Sequence, residues 1–146
     1  MKYAVALAGI LVILLSTSLH ARDTRHMLLL EDALGTPAAQ DKLDGSVRFY
    51  FSGQDVPEIT QKLMVVETNK KTNAFGKSDV EACEWVFLSA MLALQERALR
   101  EGANAVVDIT SYYKKNEVAS ATEYECHAGA IMAGVTFKGR IVKLAE

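Results

Sequence analysis

The sequence predicts an α+β fold in which one long helix covers an antiparallel sheet of about four strands. Two observations support this prediction. A helical pattern without proline or glycine runs over residues 79–101. The segments around it are rich in β-branched and aromatic residues and alternate in polarity, which is typical of strands with one buried face. A chain of 146 residues is large enough to form one hydrophobic core.

The ends of the predicted helix carry consistent local signals. Ser78, followed by Glu81 three residues later, fits a capping box, in which each side chain satisfies the other residue's free backbone N–H. Gly102 lies where a left-handed residue closes a helix. Arg97 and Arg100 place positive charge at the carboxyl end, where it interacts favourably with the helix dipole.

The predicted helix has two apolar ridges. The first is assigned to the sheet and consists of Val80, Cys83, Phe87, Met91, Leu94 and Ala98. The second needs another cover and consists of Trp85, Leu88, Leu92 and Leu99. We expect Trp85 to pack on residues 27–30 or on Leu34. A homodimer seam built from the second ridge is the alternative.

Four stretches are predicted to be strands: residues 46–51, 62–68, 105–113 and 122 onward. In the third, alternation places Ala105, Val107 and Ile109 on one face and Val106, Asp108 and Thr110 on the other. In the fourth, Tyr124, Cys126 and Ala128 face the core, and the strand is interrupted at Gly129, at Gly134 and at the Lys138-Gly139 pair.

The domain organisation follows from these elements. Residues 22–45 are expected to form an N-terminal segment that begins with a frayed end. It continues into a short helix opened by Thr36 and Pro37. Residues 46–146 are expected to form a single α+β domain.

The first 21 residues have the pattern of a secretory signal peptide: Lys2, an apolar run over residues 4–15, and small residues ending at Ala21. The apolar run is shorter than the roughly 20 residues that a spanning helix needs. We therefore expect export to the periplasm, cleavage near Ala21 and no stable membrane anchor afterwards. The expected partner is an unknown envelope component.

Charge argues against a nucleic-acid partner. The net charge is −2, and phosphate binding needs grouped lysines and arginines. The one close basic cluster, Lys70, Lys71 and Lys77, is assigned to a solvated loop.

The chain has two cysteines, so only one intramolecular pairing exists, between Cys83 and Cys126. Export to an oxidising compartment favours this disulfide. Helical periodicity places Cys83 toward the sheet, and strand alternation places Cys126 toward the core. Both cysteines are therefore predicted to lie at the helix–sheet interface.

Three potential metal ligands, Glu123, Glu125 and His127, alternate on one strand face. They predict either a metal site or an ordinary polar solvent face. Cys126 and His127 are neighbours, but adjacent strand residues point to opposite faces, so they do not form a catalytic pair. No catalytic residue and no cofactor is predicted.

Aromatic residues supply the other candidate binding sites. Tyr112 and Tyr113 precede two lysines and form a candidate contact patch. Trp85, on the second helix ridge, is the third aromatic candidate. The alternative is that these side chains contribute to the core.

The segments GANAVVDI and EYECHAGAIMAGV, preceded by a helix, resemble two groups of small bacterial domains, the YbjQ-like domains and the RcsF-like stress sensors. The resemblance covers residues 78–135 and implies an α+β core. For YbjQ-like domains it also implies heavy-metal binding. The chain departs from the RcsF-like pattern because it has no lipobox cysteine and two cysteines instead of four.

A longer match, from KTNAFGKSDVEACEWVFLSAMLALQERA to ATEYECHAGAIMAG, resembles small exported proteobacterial proteins labelled "excinuclease ATPase subunit". The label implies a nucleotide site. Gly76-Lys77-Ser78 matches the end of a P-loop, but the position of its first glycine holds Lys71. The expected function is therefore a non-catalytic periplasmic binding or envelope-homeostasis protein. Metal binding and the ATPase label are the alternatives.

Overall fold

A computed structural model describes residues 21–146; the predicted signal peptide lies outside the described residues, apart from Ala21. Within residues 21–146, no helix is long and apolar enough to cross a bilayer. The described chain forms a mixed sheet with helices packed against it. Its elements are β1 (Thr24–Leu29), α1 (Leu30–Leu34), α2 (Pro37–Lys42), β2 (Arg48–Phe51), β3 (Ile59–Asn73), α3 (Asp79–Arg100), β4 (Ala105–Ser111), a 3-10 turn (Tyr113–Lys115), β5 (Glu123–Ala128) and β6 (Met132–Leu144).

The sheet is built around β6. On one side, β3 pairs antiparallel with β6 over nearly its whole length. On the other side, β5 pairs with the start of β6 and β4 with its second half. β1 extends the sheet beyond β5, and β2 extends it beyond β4. The sheet therefore divides on that side into a β5–β1 branch and a β4–β2 branch.

The α+β class is confirmed, but the details of the predicted sheet are wrong in two respects. The sheet has six strands instead of about four. It is also not purely antiparallel, because β2 and β4 run parallel. Parallel neighbours need a long connection, which β3 and α3 provide between them.

The N-terminal segment is an integral part of this sheet. Residues 22–26, predicted to be frayed, lead into and begin β1, which pairs with β5 along its length. The predicted boundary at residue 45 therefore does not separate two structural units. The predicted helix at Thr36 is confirmed, since the Ala39 N–H donates to the Thr36 side chain and Pro37 is the first helical residue.

The carboxyl end of α3 forms as the sequence predicts, and the amino end shows one of the two hydrogen bonds of the predicted capping box. The Glu81 N–H donates to Ser78 Oγ at 3.1 Å. At the other end, Gly102 has φ +70°, its N–H donates to the Leu99 carbonyl, and the Ala103 N–H donates to the Ala98 carbonyl. These two bonds constitute a Schellman motif, which satisfies carbonyls that the helix leaves free.

The first ridge of α3 packs on the sheet except at its beginning. Val80 is 49% exposed, because it lies in the first helical turn. Phe87 meets Tyr124 of β5 and Phe137 of β6 at ring-centroid distances of 4.6 and 5.8 Å. The remaining ridge residues are fully buried: Cys83, Met91, Leu94 and Ala98.

The second ridge is covered only in part, by α1 and α2 of the same chain. Leu88 is buried, whereas Trp85 is 46% and Leu99 48% exposed. Trp85 lines a cavity together with Pro37 and Ala38 of α2. Trp85 is therefore only half buried and lies beside α2. Its packing on residues 27–30 or on Leu34 stays a prediction, and so does the alternative dimer seam.

A bulge in β4 overturns the predicted alternation of this strand. Asp108 has φ +51°, and the pairing with β6 shifts between Val107 and Thr110. The extra residue turns Ile109 to the helix side together with Val106, whereas Val107 packs on the opposite face. As a result β4 is buried on both faces.

The predicted disulfide between Cys83 and Cys126 is present, with the two Cα atoms 5.9 Å apart. Both cysteines are completely buried. The bond ties the second turn of α3 to the middle of β5, so it connects the helix directly to the sheet.

Candidate functional site

A concave region lies where the chain enters β1 and beside the turn between β5 and β6. It encloses a cavity of about 370 Å³. One wall is polar and the other is the small and apolar turn of residues 129–134. The polar wall consists of Arg22, Asp23, Lys71, Tyr113 and His127.

His127 is the centre of the polar wall. Strand alternation turns its side chain away from the core, as the sequence predicts. Its Nδ1 lies 2.9 Å from Asp23 Oδ1. Its ring stacks on Tyr113 with centroids 3.5 Å apart, and the Tyr113 hydroxyl donates to Asp23 Oδ2 at 3.2 Å. Asp23, Tyr113 and His127 therefore form a closed triangle that joins three separate elements.

The environment of Asp23 favours its charged form. Partial desolvation opposes ionisation, but the hydrogen bonds from His127 and Tyr113 and the nearby positive charge of Lys114 hold the pKa of Asp23 below its ordinary value. A carboxylate at this position keeps the His127 ring in place at neutral pH.

Glu125 lies beneath this triangle and is almost fully buried. Its carboxylate forms an ion pair with Arg25 of β1, and its backbone N–H donates to Ser111 Oγ at 2.9 Å. His127 Nε2 lies 3.6 Å from Glu125 Oε1. Among the described residues, that buried nitrogen has no hydrogen-bond partner.

The three predicted metal ligands do not converge. Glu125 and His127 come together, but Glu123 pairs with Leu29 at the start of β5. Among residues 21–146 there is no group of three His, Cys, Asp or Glu side chains placed to hold a metal. The alternative of a plain solvent face does not describe this strand either, because Glu125 is buried and ion-paired.

Asp79 forms a second polar junction on the same side of the molecule. Arg22 donates to it through two nitrogens at 2.8 and 3.0 Å, and His26 Nε2 lies 2.8 Å from Oδ2. The hydrogen bonds from Arg22 and then His26 lower the pKa of Asp79 to about 2. This junction fixes β1 to the first turn of α3.

We expect Asp79→Asn to weaken the protein most at neutral pH. The folded-state pKa lies below the unfolded value near 3.9, so ionised Asp79 stabilises the fold above about pH 4. That stabilisation is lost as the pH falls toward 2. Urea unfolding at pH 7 and at pH 2.5 should therefore show a large difference between wild type and variant at pH 7 and a small one at pH 2.5.

Asp41→Asn, on the exposed side of α2, is the matched control for loss of one carboxylate. It should leave the unfolding midpoint unchanged at both pH values. If the Asp79 and Asp41 variants behave alike, the Asp79 junction contributes nothing to stability.

The sequence missed three of the residues that build these junctions, Arg22, Asp23 and His26, because they lie in the segment expected to be frayed. Their partners are more than 50 positions away in the chain. One feature that could have predicted β1 is the mixed polar and apolar composition of Thr24–Leu29. Such a composition is typical of a strand at the edge of a sheet.

The aromatic candidates separate in space. Tyr113 belongs to the cavity. Tyr112 lies under the Lys138 and Lys115 ammonium groups, at 4.9 and 5.7 Å from its ring centroid. Trp85 lines the distinct cavity beside α2. Of the predicted metal and aromatic site residues, Tyr113, Glu125 and His127 are therefore brought together.

The loop that resembles the end of a P-loop follows a strand, because β3 ends at Asn73. However, Lys71 lies within β3, and Ser78 Oγ is occupied by the Glu81 N–H. The loop therefore acts as the connection that caps α3.

The ring of His127 is held on both sides by its neighbours. Neither nitrogen of His127 faces the cavity freely, because Nδ1 is held by Asp23 and Nε2 is buried beside Glu125. Among the described residues that line the cavity there is no serine or cysteine. The polar network instead holds one wall of the cavity rigid.

A scan against protein-family models found no match, and searches of curated proteins and of solved structures found none either. The resemblance to YbjQ-like and RcsF-like domains therefore stays a prediction.

Proposed function

We propose that the chain is an exported, non-catalytic binding domain of the periplasm, active in envelope homeostasis or in binding an envelope component. The buried disulfide between Cys83 and Cys126 is the observation that carries the proposal. Structural disulfides persist in oxidising compartments and are rare in reducing ones. The apolar run over residues 4–15 supplies the matching export signal.

The binding role is supported by the cavity beside His127. Binding sites are concave, with apolar walls and a few fixed polar groups. Here the polar groups are fixed by mutual hydrogen bonds, and the apolar wall is contributed by the turn that contains Ile131. Such a site is preorganised, so little ordering is needed when a ligand binds.

Export is tested by expressing the whole chain in a bacterium and measuring the intact mass of the periplasmic product. We expect loss of residues 1–21 and a mass lower by one pair of hydrogens than that of the reduced chain. Leu14→Arg, which interrupts the apolar run, is the control and should leave full-length protein with free thiols in the cytoplasm. An unprocessed wild-type chain with two free thiols would overturn the proposal.

The partner is tested by crosslinking in cells. A photoreactive residue in place of Ile131, beside the cavity, should capture an envelope component. The same residue in place of Glu96, which is highly exposed in the second half of α3, is the control position. Equal capture at both positions would contradict a binding role for the cavity.

A further inference from the structure

Three large apolar side chains are exposed together at one end of the sheet. Phe75 is 76%, Ile131 66% and Met132 48% exposed. Phe75 lies in the turn from β3 to α3, and the other two lie in and beside the turn from β5 to β6. The two turns are adjacent, because the Ala74 N–H donates to the Ile131 carbonyl at 2.7 Å and Asn73 pairs with Met132. We call Phe75, Ile131 and Met132 the apolar tip.

Lysines flank the apolar tip. Lys71 lines the same cavity as Ile131 and Met132. Lys77 follows Phe75 by two residues and donates to the Asn73 carbonyl, so its ammonium stays beside the turn. Lys70 is exposed one residue before Lys71 in β3. The predicted solvated loop is wrong for Lys70 and Lys71, since both lie in β3. Lys71 and Lys77 are next to the exposed apolar groups, whereas Lys70 lines a groove with Ala93 and Leu94 of α3.

The carboxylates on this side largely do not cancel that charge. Asp79 is paired with Arg22, and the charge of Lys114 acts on Asp23. Glu81, exposed in the first turn of α3, offsets one lysine. The surroundings of the apolar tip therefore present a positive charge around a hydrophobic centre.

We propose that the apolar tip inserts into the interface of a lipid bilayer whose headgroups are anionic. Apolar and aromatic groups that enter the headgroup–acyl boundary, combined with lysines that attract anionic lipid, produce reversible surface binding. The inference rests on the proposed function, because export places the domain beside such a surface. The envelope component that the domain binds is then the membrane surface itself.

The size of the apolar tip favours a membrane over a protein partner. A stable protein interface buries about 800 Å² on each side, which three side chains do not supply. A bilayer interface needs no matching flat surface, and two neighbouring turns are sufficient to enter it. A second copy of the chain would have to bring lysines against lysines at the same patch.

Binding is measured by co-sedimentation of the processed, disulfide-bonded chain with vesicles. We expect binding to phosphatidylcholine vesicles that contain phosphatidylglycerol, and much weaker binding to phosphatidylcholine alone. Each lysine near the surface contributes about fivefold to the partition coefficient, so Lys71→Gln and Lys77→Gln should each reduce it by about that factor. Added salt should weaken binding, since it screens these charges.

The apolar contribution is tested by the double variant Phe75→Ser/Ile131→Ser, which should lower the partition coefficient at least tenfold. Val65→Ser is the matched control, because Val65 is 48% exposed in the middle of β3, away from the apolar tip. Lys143→Gln, at the other end of β6, is the control for charge. Both controls should bind vesicles as the wild type does.

Insertion depth is read from one tryptophan. In a Trp85→Phe background, Phe75→Trp should give fluorescence that brominated lipids quench, whereas wild-type Trp85 should not be quenched. Absence of vesicle binding, or equal binding to both vesicle types, would overturn the inference. So would a dimer whose formation depends on Phe75 and Ile131, or crosslinking of position 131 to a protein. These results would leave the proposed export and binding function intact, whereas unprocessed protein with free thiols would contradict that function itself.

Discussion

Replacing Cys83 and Cys126 together by alanine is expected to lower the free energy of unfolding by about 4 kcal/mol. The two cysteines are 43 positions apart, so the bond removes much of the freedom of the unfolded chain. It also joins α3 to β5, two elements whose packing forms the centre of the core. A loss of this size is a large part of the roughly 5–15 kcal/mol that stabilises a typical domain.

Urea unfolding followed by far-UV circular dichroism measures the effect. The wild type in strong reductant should unfold at nearly the same midpoint as the double-alanine variant in buffer. Reductant should not change the midpoint of the variant, which controls for other effects of the reagent. Equal stability of oxidised wild type and variant would show that the disulfide does not stabilise the domain.

The disulfide and α3 were predictable because their signals are local and agree with one another. Ser78 and Gly102 define the helix ends through backbone geometry, whatever the rest of the chain does. Helical and strand periodicity each gave the direction of one cysteine independently. Both directions point into the space between α3 and the sheet, where the two cysteines meet.

The sheet was harder to predict because its pairing depends on contacts between distant residues. β2 and β4 have no feature that distinguishes a parallel from an antiparallel neighbour. The sequence predicts a break at the Lys138-Gly139 pair, yet β6 is continuous there. A β-carbon at Gly139 would lie 2.8 Å from Val106 Cγ1, so this glycine allows close packing of β4 on β6. The bulge at Asp108 reverses which face of β4 the following side chains point to. No glycine or proline in this strand predicts the bulge.

The candidate site was predicted only in part, for the same reason. Glu125 and His127 stood out because they alternate on one strand. Asp23 and Arg25, which hold these side chains, looked like ordinary polar residues near a cleavage site. An ion pair between positions about 100 residues apart leaves no trace in local sequence. Two of the three suggested ligands, Glu125 and His127, instead bond to Arg25 and Asp23 and so fasten β5 to β1 and the residue before it.

Phe87→Ala is expected to destabilise the domain by about 3–5 kcal/mol, the second large effect. Phe87 is fully buried and lies between α3 and the sheet, against Tyr124 and Phe137. Removing its ring leaves a cavity between these aromatic side chains, and the disulfide at Cys83, one helical turn away, limits how far α3 can move to fill it. Urea unfolding of the oxidised variant measures the loss.

Trp85→Ala is the control on the same helix, because it removes a larger ring that is nearly half exposed. Half-burial of a large side chain predicts a loss below about 1.5 kcal/mol. Comparing the two losses of stability shows how much each ridge of α3 contributes, since only the first ridge is enclosed by the sheet. If Trp85→Ala cost as much as Phe87→Ala, the second ridge would be buried in solution, and the dimer seam through Trp85 and Leu99 would be the direct explanation. Sedimentation of the wild type over a range of concentrations would then have to show that dimer.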